Sequence, residues 1–264
     1  ICLDPSDVLS ILKESKTIQM SGTLAPFNAY EDMTGFRIPF KSVGEVFPKE
    51  NRFVAYYDRV TTKYNTLNED EVKKISDIIL KIVSTIRKNA IVYFPSYSLL
   101  EKVNSYIDMP DILKEKKNIG QENFMDMVRE FRSGGRLMFS VAGGRASEGM
   151  NFPGNQLELI IIVGIPYPKP DAANKALFDY YERRYSAGWE YSVTIPAVVK
   201  IRQEIGRLIR SSRDIGAAVI LDKRARNLKR FIPDIVSTSD PAADLKKFFE
   251  SKSPAINGFR INDL

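Results

Sequence analysis

The chain has 264 residues and a net charge of +6, and 44% of its residues are hydrophobic, which suffices for one large core or two modest ones. Its single cysteine, Cys2, excludes an internal disulfide framework, and with no histidine the usual zinc ligand sets are excluded as well. No apolar run reaches the roughly 20 residues of a membrane span, and the first residues form no signal peptide and include no initiator methionine. We therefore expect a piece of a longer intracellular protein that has no membrane partner.

The positive charge is concentrated in one part of the chain. Residues 183–230 contain 12 lysines and arginines against 4 acidic residues, a net charge of +8, so the remainder is slightly acidic. Such a concentration is typical of a surface that binds phosphate backbones, although charged side chains also cluster on ordinary solvated surfaces. Charge alone leaves both interpretations open.

The N-terminal segment combines one short apolar run with a long irregular stretch. Residues 16–20 have the alternation of a strand, which would end in the small polar residues Ser21, Gly22 and Thr23. Residues 35–51, with two glycines and two prolines, indicate irregular structure before the next strand. A boundary between two lobes is therefore expected in this part of the chain.

From residue 52 onwards the hydrophobic pattern alternates between short apolar runs and segments of helical period. Short runs predict strands, and apolar residues repeated every three or four positions predict helices. Asn68 and Ser96 are suitable caps for two of these helices. The predicted strands are 52–57, 90–94, 137–142, 157–165 and 217–221, and the predicted helices are 69–88, 96–107 and one around 124–131.

The run Leu159–Val163 is apolar at every position, so it has no face suited to water. A strand of this kind is expected in the middle of a parallel sheet that helices cover on both sides. The sequence therefore predicts an α/β fold, with ligands bound outside the carboxyl ends of the strands.

A further helix is predicted from about Pro196 to Arg213. At 100° per residue its apolar side chains form one stripe, and a polar stripe on the opposite side contains Gln203, Gly206, Arg207 and Arg210. Two arginines one turn apart can grip an oxyanion such as a phosphate. The competing interpretation is a solvated helix face.

Two more features leave alternatives open. The glycine-rich segment 143–149 lacks the spacing of known nucleotide loops, so it is either a tight turn or a loop that contacts phosphate through its backbone and Arg145. Trp189 follows several tyrosines within the basic segment, where it could stack on unpaired bases or pack in the core, and Tyr97 and Tyr64 share this ambiguity.

Six short segments, taken in order, resemble the C-terminal half of XPD-type helicases, a group of superfamily-two DNA helicases that includes the DinG branch. They match helicase motifs III to VI, and the resemblance extends from about residue 16 to 232. The matching segments are Ser21 to Pro26, Val92 to Tyr97, Gly143 to Pro153, Val163 to Pro168, Gln203 to Arg210, and Leu221 to Arg224.

The resemblance implies a RecA-like second motor lobe in residues 46–264 and a motif III segment in residues 1–45, at or beside the boundary of the first lobe. It implies that Arg207 and Arg210 are arginine fingers for ATP held by the first lobe, with Gln203 beside them. The residues implied in nucleotide binding or coupling are Ser21, Gly22, Thr23, Ser147, Glu148, Gly149, Asn151 and Gly206. Those assigned to nucleic acid are Ser96, Tyr97, Arg145, Trp189, Arg224 and Tyr64.

Several parts of the family pattern are absent or altered. Asn151 stands where an aspartate is usual, so no acid role is carried over to it. The Walker A loop and the acidic magnesium motif do not occur in this sequence, so ATP and Mg²⁺ would be bound mainly by the missing first lobe. A 4Fe-4S cluster is implied for the full-length family member but not for this chain, because one cysteine cannot ligate it.

The resemblance further implies 5′→3′ polarity, a role in DNA repair, and single-stranded DNA and the first lobe as partners. Repair or transcription factors are also candidate partners, and the location would be the cytoplasm of a prokaryote or the nucleus of a eukaryote. Because a fold does not determine a function, the competing hypothesis is a non-enzymatic nucleic-acid-binding or regulatory module. An RNA helicase lobe is a third interpretation.

Overall fold

A computed structural model describes residues 3–24, 26–44, 46–134, 136–147 and 150–252. Within these residues seven strands form one sheet in which every neighbouring pair is parallel. The strands are β1 Arg52–Tyr57, β2 Ala90–Phe94, β3 Leu113–Lys114, β4 Leu137–Val141, β5 Leu159–Val163, β6 Gly216–Leu221 and β7 Val236–Thr238.

The order of the strands across the sheet is β3-β4-β2-β5-β6-β1-β7. Strand β5 is therefore the central strand of seven, and all five of its residues are buried. The prediction from its unbroken apolar run is confirmed, because helices cover both faces of the sheet at this position. The five predicted strands are all present, with ends that differ by no more than two residues.

Helices pack on both faces of the sheet. One face buries apolar side chains of α5 and α7, and the other buries those of α3, α4 and α8. No helix within the described ranges has the length and apolar content needed to cross a membrane. The helices are α1 Ser6–Leu9, α2 Phe27–Thr34, α3 Glu69–Ile86, α4 Tyr97–Asn104, α5 Gln121–Arg132, α6 Ala172–Tyr185, α7 Ile195–Ile205 and α8 Pro241–Lys252.

The starts of α3 and α4 are set by side-chain caps. The Oδ1 atom of Asn68 accepts a hydrogen bond from the backbone N–H of Glu71 at 2.9 Å, and the Oγ atom of Ser96 accepts one from Leu99 at 3.3 Å. Each bond satisfies a backbone donor that has no partner within the first helical turn. Both caps were predicted, and both helices begin where the sequence indicates.

The predicted strand at residues 16–20 is wrong. This segment pairs with no strand of the sheet, and its apolar side chains Ile18 and Met20 are 88% and 86% exposed. Alternation of apolar and polar residues indicates a strand only where a neighbouring strand supplies hydrogen bonds and a buried face. Residues 35–44 and 46–51 are irregular apart from one 3₁₀ turn at Lys49–Asn51, as predicted.

The N-terminal segment packs against α6 and the π-helical turn Glu190–Thr194 rather than against the sheet. Tyrosine hydroxyls make the connection: Tyr180 donates to Asp4 at 2.6 Å, and Tyr191 donates to Asp32 at 2.7 Å. The sequence reasoning did not identify α6, whose apolar residues serve this small separate core.

Candidate functional site

The carboxyl ends of the parallel strands lie along one edge of the sheet, and several predicted site residues follow directly from them. Tyr97 comes after β2, Arg145 comes after β4, and Arg224 comes after β6. Since every pair of strands is parallel, these loops are neighbours in space even though they are far apart in sequence.

A cleft of about 530 Å³ brings together three of the predicted segments. We call it the arginine cleft. Its walls contain the turn after α7, the end of the loop after β4, and the N-terminal loop at residues 21–23. The lining residues are Ser21, Gly22, Thr23, Ser147, Arg202, Gln203, Gly206, Arg207 and Arg210.

The helix that was predicted to reach Arg213 ends at Ile205, so the predicted polar stripe is wrong beyond that point. The next residues form turns in which Arg207 donates its backbone N–H to Glu204 at 3.1 Å and Leu208 donates to Ile205 at 3.1 Å. These hydrogen bonds join residues three positions apart, as in a 3₁₀ turn. Residues 207 and 210 therefore do not share the face of an α-helix.

Arg207 consequently points inward and is only 6% exposed, not outward as the helical pattern predicts. Its guanidinium donates to the backbone carbonyls of Ser147 and Met150. Five donors in a planar fork allow arginine to join two chain segments in this way. Arg207 therefore connects the turn after α7 to the loop after β4.

Gln203 and Arg210 are exposed at the arginine cleft. Among the described residues, no ion pair or hydrogen bond engages the Arg210 guanidinium. Its backbone is nevertheless held, because Asp214 Oδ2 accepts the N–H groups of Arg210 and Ser211 at 2.7 and 2.8 Å. A rigid backbone with a free cationic side chain is suited to an anionic ligand that approaches from outside.

Glu204 is completely buried and contacts Ser147, one of the residues that line the arginine cleft. Its Oε1 atom lies 3.4 Å from the hydroxyl of Ser147, which also accepts a hydrogen bond from the N–H of Gly143 at 3.1 Å. Burial raises the pKa of this carboxyl to about 8, although the Ser147 bond and the charge of Arg207 act in the opposite direction. Ser147 thus joins the glycine-rich loop to α7.

The N-terminal loop reaches the arginine cleft without the strand that was predicted to lead into it. Arg202 donates to the carbonyl of Gly22 at 3.0 Å, and the hydroxyls of Ser21 and Thr23 lie 3.1 Å apart. These residues line the same cleft as Arg210, and their part in nucleotide binding or coupling stays a prediction.

A second concavity, of about 220 Å³, lies at the ends of β2, β3 and β4, and we call it the lysine recess. Tyr97 and Arg145 were predicted here, whereas Glu115, Lys116 and Lys117 were not. The Arg145 guanidinium donates to the carbonyl of Ile119 at 3.0 Å, which directs it along the rim. The recess combines cationic side chains with the turn at residues 143–145, whose three backbone N–H groups already donate within the protein.

Trp189 is 58% exposed, so the interpretation of this residue as a core side chain is wrong. Its ring contacts that of Tyr167 edge-on, with centroids 6.0 Å apart, and the Arg224 guanidinium lies 5.3 Å from the Tyr167 centroid. These three side chains, which we call the aromatic cluster, offer ring faces and a cation at the ends of β5 and β6.

The orientation of Arg224 is set by a buried acid. Asp222 is fully buried and accepts bonds from Arg224 Nε at 2.9 Å and from the Thr62 N–H at 2.9 Å. Burial alone would raise the pKa of Asp222, but the hydrogen bonds from Arg224 and Thr62 outweigh it and lower that pKa. The pair keeps Arg224 beneath the Tyr167 ring.

The remaining predicted site residues line none of these three sites or lie outside the residues that the structure describes. The Ser96 hydroxyl is used as the cap of α4. Tyr64 is 93% exposed and lines none of the three sites, and Asn151 is exposed, with its carbonyl accepting a bond from Arg132 at 2.5 Å. Glu148 and Gly149 lie outside the described residues.

Several residues of these sites were missed by the sequence reasoning, among them Glu204, Glu115 and Tyr167. A signal was available for Glu204, since it lies three positions after Ile201 on the buried stripe of α7, where a carboxylate is unusual. No comparable signal existed for Glu115, because the two-residue strand β3 is too short to be recognised from its pattern.

The described residues contain no group of three or more potential metal ligands of the histidine, cysteine or carboxylate type. The one cysteine, Cys2, lies outside those residues and cannot supply the four thiolates of an iron-sulfur cluster. The residues present therefore do not fit such a cluster.

Comparison with known proteins identifies the family to which the chain belongs. Residues 79–239 match the model of the helicase C-terminal domain, and residues 1–66 match the helical and beta-bridge domain. The ATP-dependent DNA helicase XPD of Sulfolobus acidocaldarius is 31% identical over 225 residues, which cover 81% of this chain and 40% of that protein. The XPD/RAD3 helicase subunit of the general transcription and DNA repair factor IIH of Saccharomyces cerevisiae is 24% identical over 92% of this chain and 34% of that protein.

A solved XPD helicase structure agrees with the same assignment. It superimposes with a TM-score of 0.72 at 28% identity, covering 88% of this chain and 45% of that one. The chain thus spans half or less of the XPD chains it matches. The chain belongs to the helicase C-terminal domain family and is the C-terminal, RecA-like lobe of an XPD-type superfamily-two helicase.

Proposed function

We propose that this lobe completes the ATP site of a DNA helicase by directing Arg210 at phosphates that another lobe holds. The observation that carries the proposal is the arginine cleft, where Arg210 and Gln203 are exposed beside residues 21–23. An arginine that stabilises charge on the transferred phosphoryl group accelerates hydrolysis by roughly 10³- to 10⁵-fold. Arg210 has the exposure that this role requires.

Arg207 has a different part in this proposal from the one its motif implies. Its guanidinium is already bonded to the carbonyls of Ser147 and Met150, so direct contact with a phosphate would require it to leave them. We assign Arg207 to the wall of the cleft, where it ties the glycine-rich loop to the turn that carries Arg210. A movement of Arg210 at the phosphates would then displace the loop after β4 through the hydrogen bonds of Arg207.

Single-stranded DNA is the proposed nucleic acid. The lysine recess offers Tyr97, Arg145 and two lysines to the phosphate backbone, and the aromatic cluster offers Trp189 and Tyr167 as stacking surfaces. Cationic side chains that follow a backbone, together with aromatic rings that stack on bases, are the usual means of binding single strands. Both groups lie at the carboxyl ends of the strands.

The complete helicase would bind ATP and Mg²⁺ mainly on its first lobe, with this lobe closing over them. We place the boundary near residue 45, because β1 already pairs with β6 and β7 in the sheet of this lobe. A role in DNA repair is supported by the likeness to XPD proteins, one of which is named as a subunit of a transcription and DNA repair factor. The 5′→3′ polarity stays a prediction from the motif resemblance. An iron-sulfur cluster would be held elsewhere in such a protein.

The proposal predicts that the purified chain binds single-stranded DNA but does not hydrolyse ATP. The affinity for a fluorescein-labelled oligothymidylate is measured across a salt series, and phosphate release is measured with and without that DNA. Binding should weaken steeply with salt, because each phosphate contact releases about one counterion.

Two outcomes would contradict this proposal in different ways. DNA-stimulated ATP turnover by the chain alone would show that the ATP site is complete without another lobe. Binding that does not respond to salt would argue against phosphate contacts by the basic residues. If a parent protein with both lobes binds DNA yet hydrolyses no ATP, the non-enzymatic binding module becomes the better account.

A further inference from the structure

Glu115 is a buried acid in a site that is otherwise cationic. It follows β3 directly and is 1% exposed, yet it lines the lysine recess. Its Oε1 atom accepts a hydrogen bond from the Tyr97 hydroxyl at 3.0 Å and one from the Arg145 N–H at 3.4 Å. Its Oε2 atom accepts a bond from the hydroxyl of Ser140 at 2.5 Å.

These contacts join three strands at their carboxyl ends. Tyr97 opens α4 after β2, Ser140 belongs to β4, and Arg145 lies in the loop that follows β4. The loop also packs closely on the acid, since a Cβ atom at Gly144 would lie 3.0 Å from Glu115 Oε1 and 2.7 Å from the Val141 carbonyl. A side chain at position 144 would therefore displace the loop from the carboxylate.

The negative charge of Glu115 is opposite to the charge expected in a site that binds phosphate. A carboxylate in the wall of a recess lined by Lys116, Lys117 and Arg145 lowers the attraction of that recess for a phosphate. Its charge therefore does not explain its presence there. Its three hydrogen bonds do, because they hold two separate segments in a single arrangement.

We propose that Glu115 is a positioning residue that holds Tyr97 and the turn at residues 143–145 in place as a seat for one phosphate of the nucleic-acid backbone. Lys116 and Lys117 are the further contacts of this seat. The inference rests on the proposed binding of single-stranded DNA, and it adds the residue that organises one of the contact points.

The test measures the affinity of this chain for fluorescein-labelled oligothymidylate by fluorescence anisotropy. Glu115→Met keeps the length of the side chain but removes both acceptors, and we expect it to weaken binding about tenfold, the equivalent of one or two hydrogen bonds. Glu115→Gln keeps one acceptor oxygen and should stay within about twofold of wild type. Ser76→Ala is the control, because it removes a buried hydroxyl that bonds Val72 and Val103 away from the recess.

The two variants separate positioning from charge, since both remove the same negative charge. If Glu115 acted through charge alone, both would bind DNA more tightly, and that result would overturn the proposal. The amide NMR signals of Gly143 and Arg145 give a second measurement, which should shift in Glu115→Met and remain near wild type in Glu115→Gln and Ser76→Ala.

If Glu115→Met does not fold, Tyr97→Phe removes one of the same hydrogen bonds from the other side and should weaken DNA binding about threefold. Unchanged affinity in Tyr97→Phe would overturn the proposal. Failure of the wild-type chain to bind DNA would overturn the proposed function as well, whereas normal wild-type binding with an unaffected Glu115→Met would overturn the role of Glu115 alone.

Discussion

Glu204 is an acidic residue in an environment that disfavours its charged form. Its carboxyl is buried between α7 and the loop after β4, and burial raises its pKa from 4.5 to about 8. In the unfolded chain the proton is lost above about pH 4.5, whereas the folded chain keeps it until about pH 8. Between these values the folded state binds more protons, so this group makes stability fall as the pH rises, with no further loss above pH 8.

Glu204→Gln should remove that dependence, because an amide does not titrate. We expect the variant and the wild type to have similar free energies of unfolding at pH 5, and the variant to be more stable by roughly 2 kcal/mol at pH 8. Urea unfolding at the two pH values measures the difference. Glu101→Gln, at an exposed position of α4, is the matched control and should leave the pH dependence unchanged.

An equal loss of stability with pH in Glu204→Gln and wild type would contradict this account. So would a variant that is less stable than wild type at both pH values by the same amount, because the Glu204 carboxylate would then be ionised and favourably paired in the folded protein.

At the scale of elements, the hydrophobic pattern was sufficient to predict the helices and strands that pack in the main sheet or against it. Strand β5 and helix α3 were predicted from their apolar periods because burial against the sheet is the force that selects those periods. Helix α6 was missed because its aromatic residues pack in a small separate core with the N-terminal segment, which gives no regular stripe.

The end of α7 shows where periodicity fails. Leu208 and Ile209 continue the apolar stripe beyond Ile205, so the pattern predicts a longer helix than the structure contains. Those residues still contact the core, but they reach it from a turn, and the same turn carries Arg207 inward. The inward position of Arg207 cannot be read from a single sequence, because the carbonyls that accept its hydrogen bonds belong to a loop about 60 residues away.

The end of β5 depends on a glycine. Gly164 has a φ of +76°, and a Cβ atom there would lie 2.1 Å from the Thr62 hydroxyl. That hydroxyl donates to Asp222 at 3.1 Å and accepts from Arg224 at 2.9 Å. The close approach of the Thr62 side chain to Gly164 therefore supports Arg224 of the aromatic cluster.

Gly164→Ala should lower the free energy of unfolding by about 3 kcal/mol, since it adds both left-handed strain and a steric clash. It should also weaken single-strand binding, because Arg224 loses its support from Thr62. Thermal unfolding and anisotropy measure the two effects. Gly120→Ala is the control, since its φ is −62° and an added Cβ meets nothing within 4 Å; a loss of stability equal to that of Gly164→Ala would contradict the account.

Across the whole molecule, the lysine recess and the aromatic cluster lie at the carboxyl ends of the strands, whereas the turn that carries Arg210 lies beside Gly216 at the amino end of β6. Sequence order predicted the loops that share the carboxyl edge, because the ends of parallel strands meet there. It could not predict that Arg207 would be buried or that Glu115 would enter the recess, because both depend on contacts between distant loops. The site was thus foreseen in its segments and not in its internal contacts.

The central claim is that Arg210 acts on ATP bound by another lobe, and one comparison in a helicase containing both lobes tests it most directly. ATP hydrolysis and oligothymidylate affinity are measured for wild type, Arg210→Ala and Arg213→Ala, the last being an exposed arginine in the adjacent turn. We predict that Arg210→Ala lowers the hydrolysis rate at least about a thousandfold and changes DNA affinity less than about twofold, while Arg213→Ala keeps near wild-type hydrolysis. Parallel loss of DNA affinity and hydrolysis in Arg210→Ala, or normal hydrolysis in that variant, would contradict the claim.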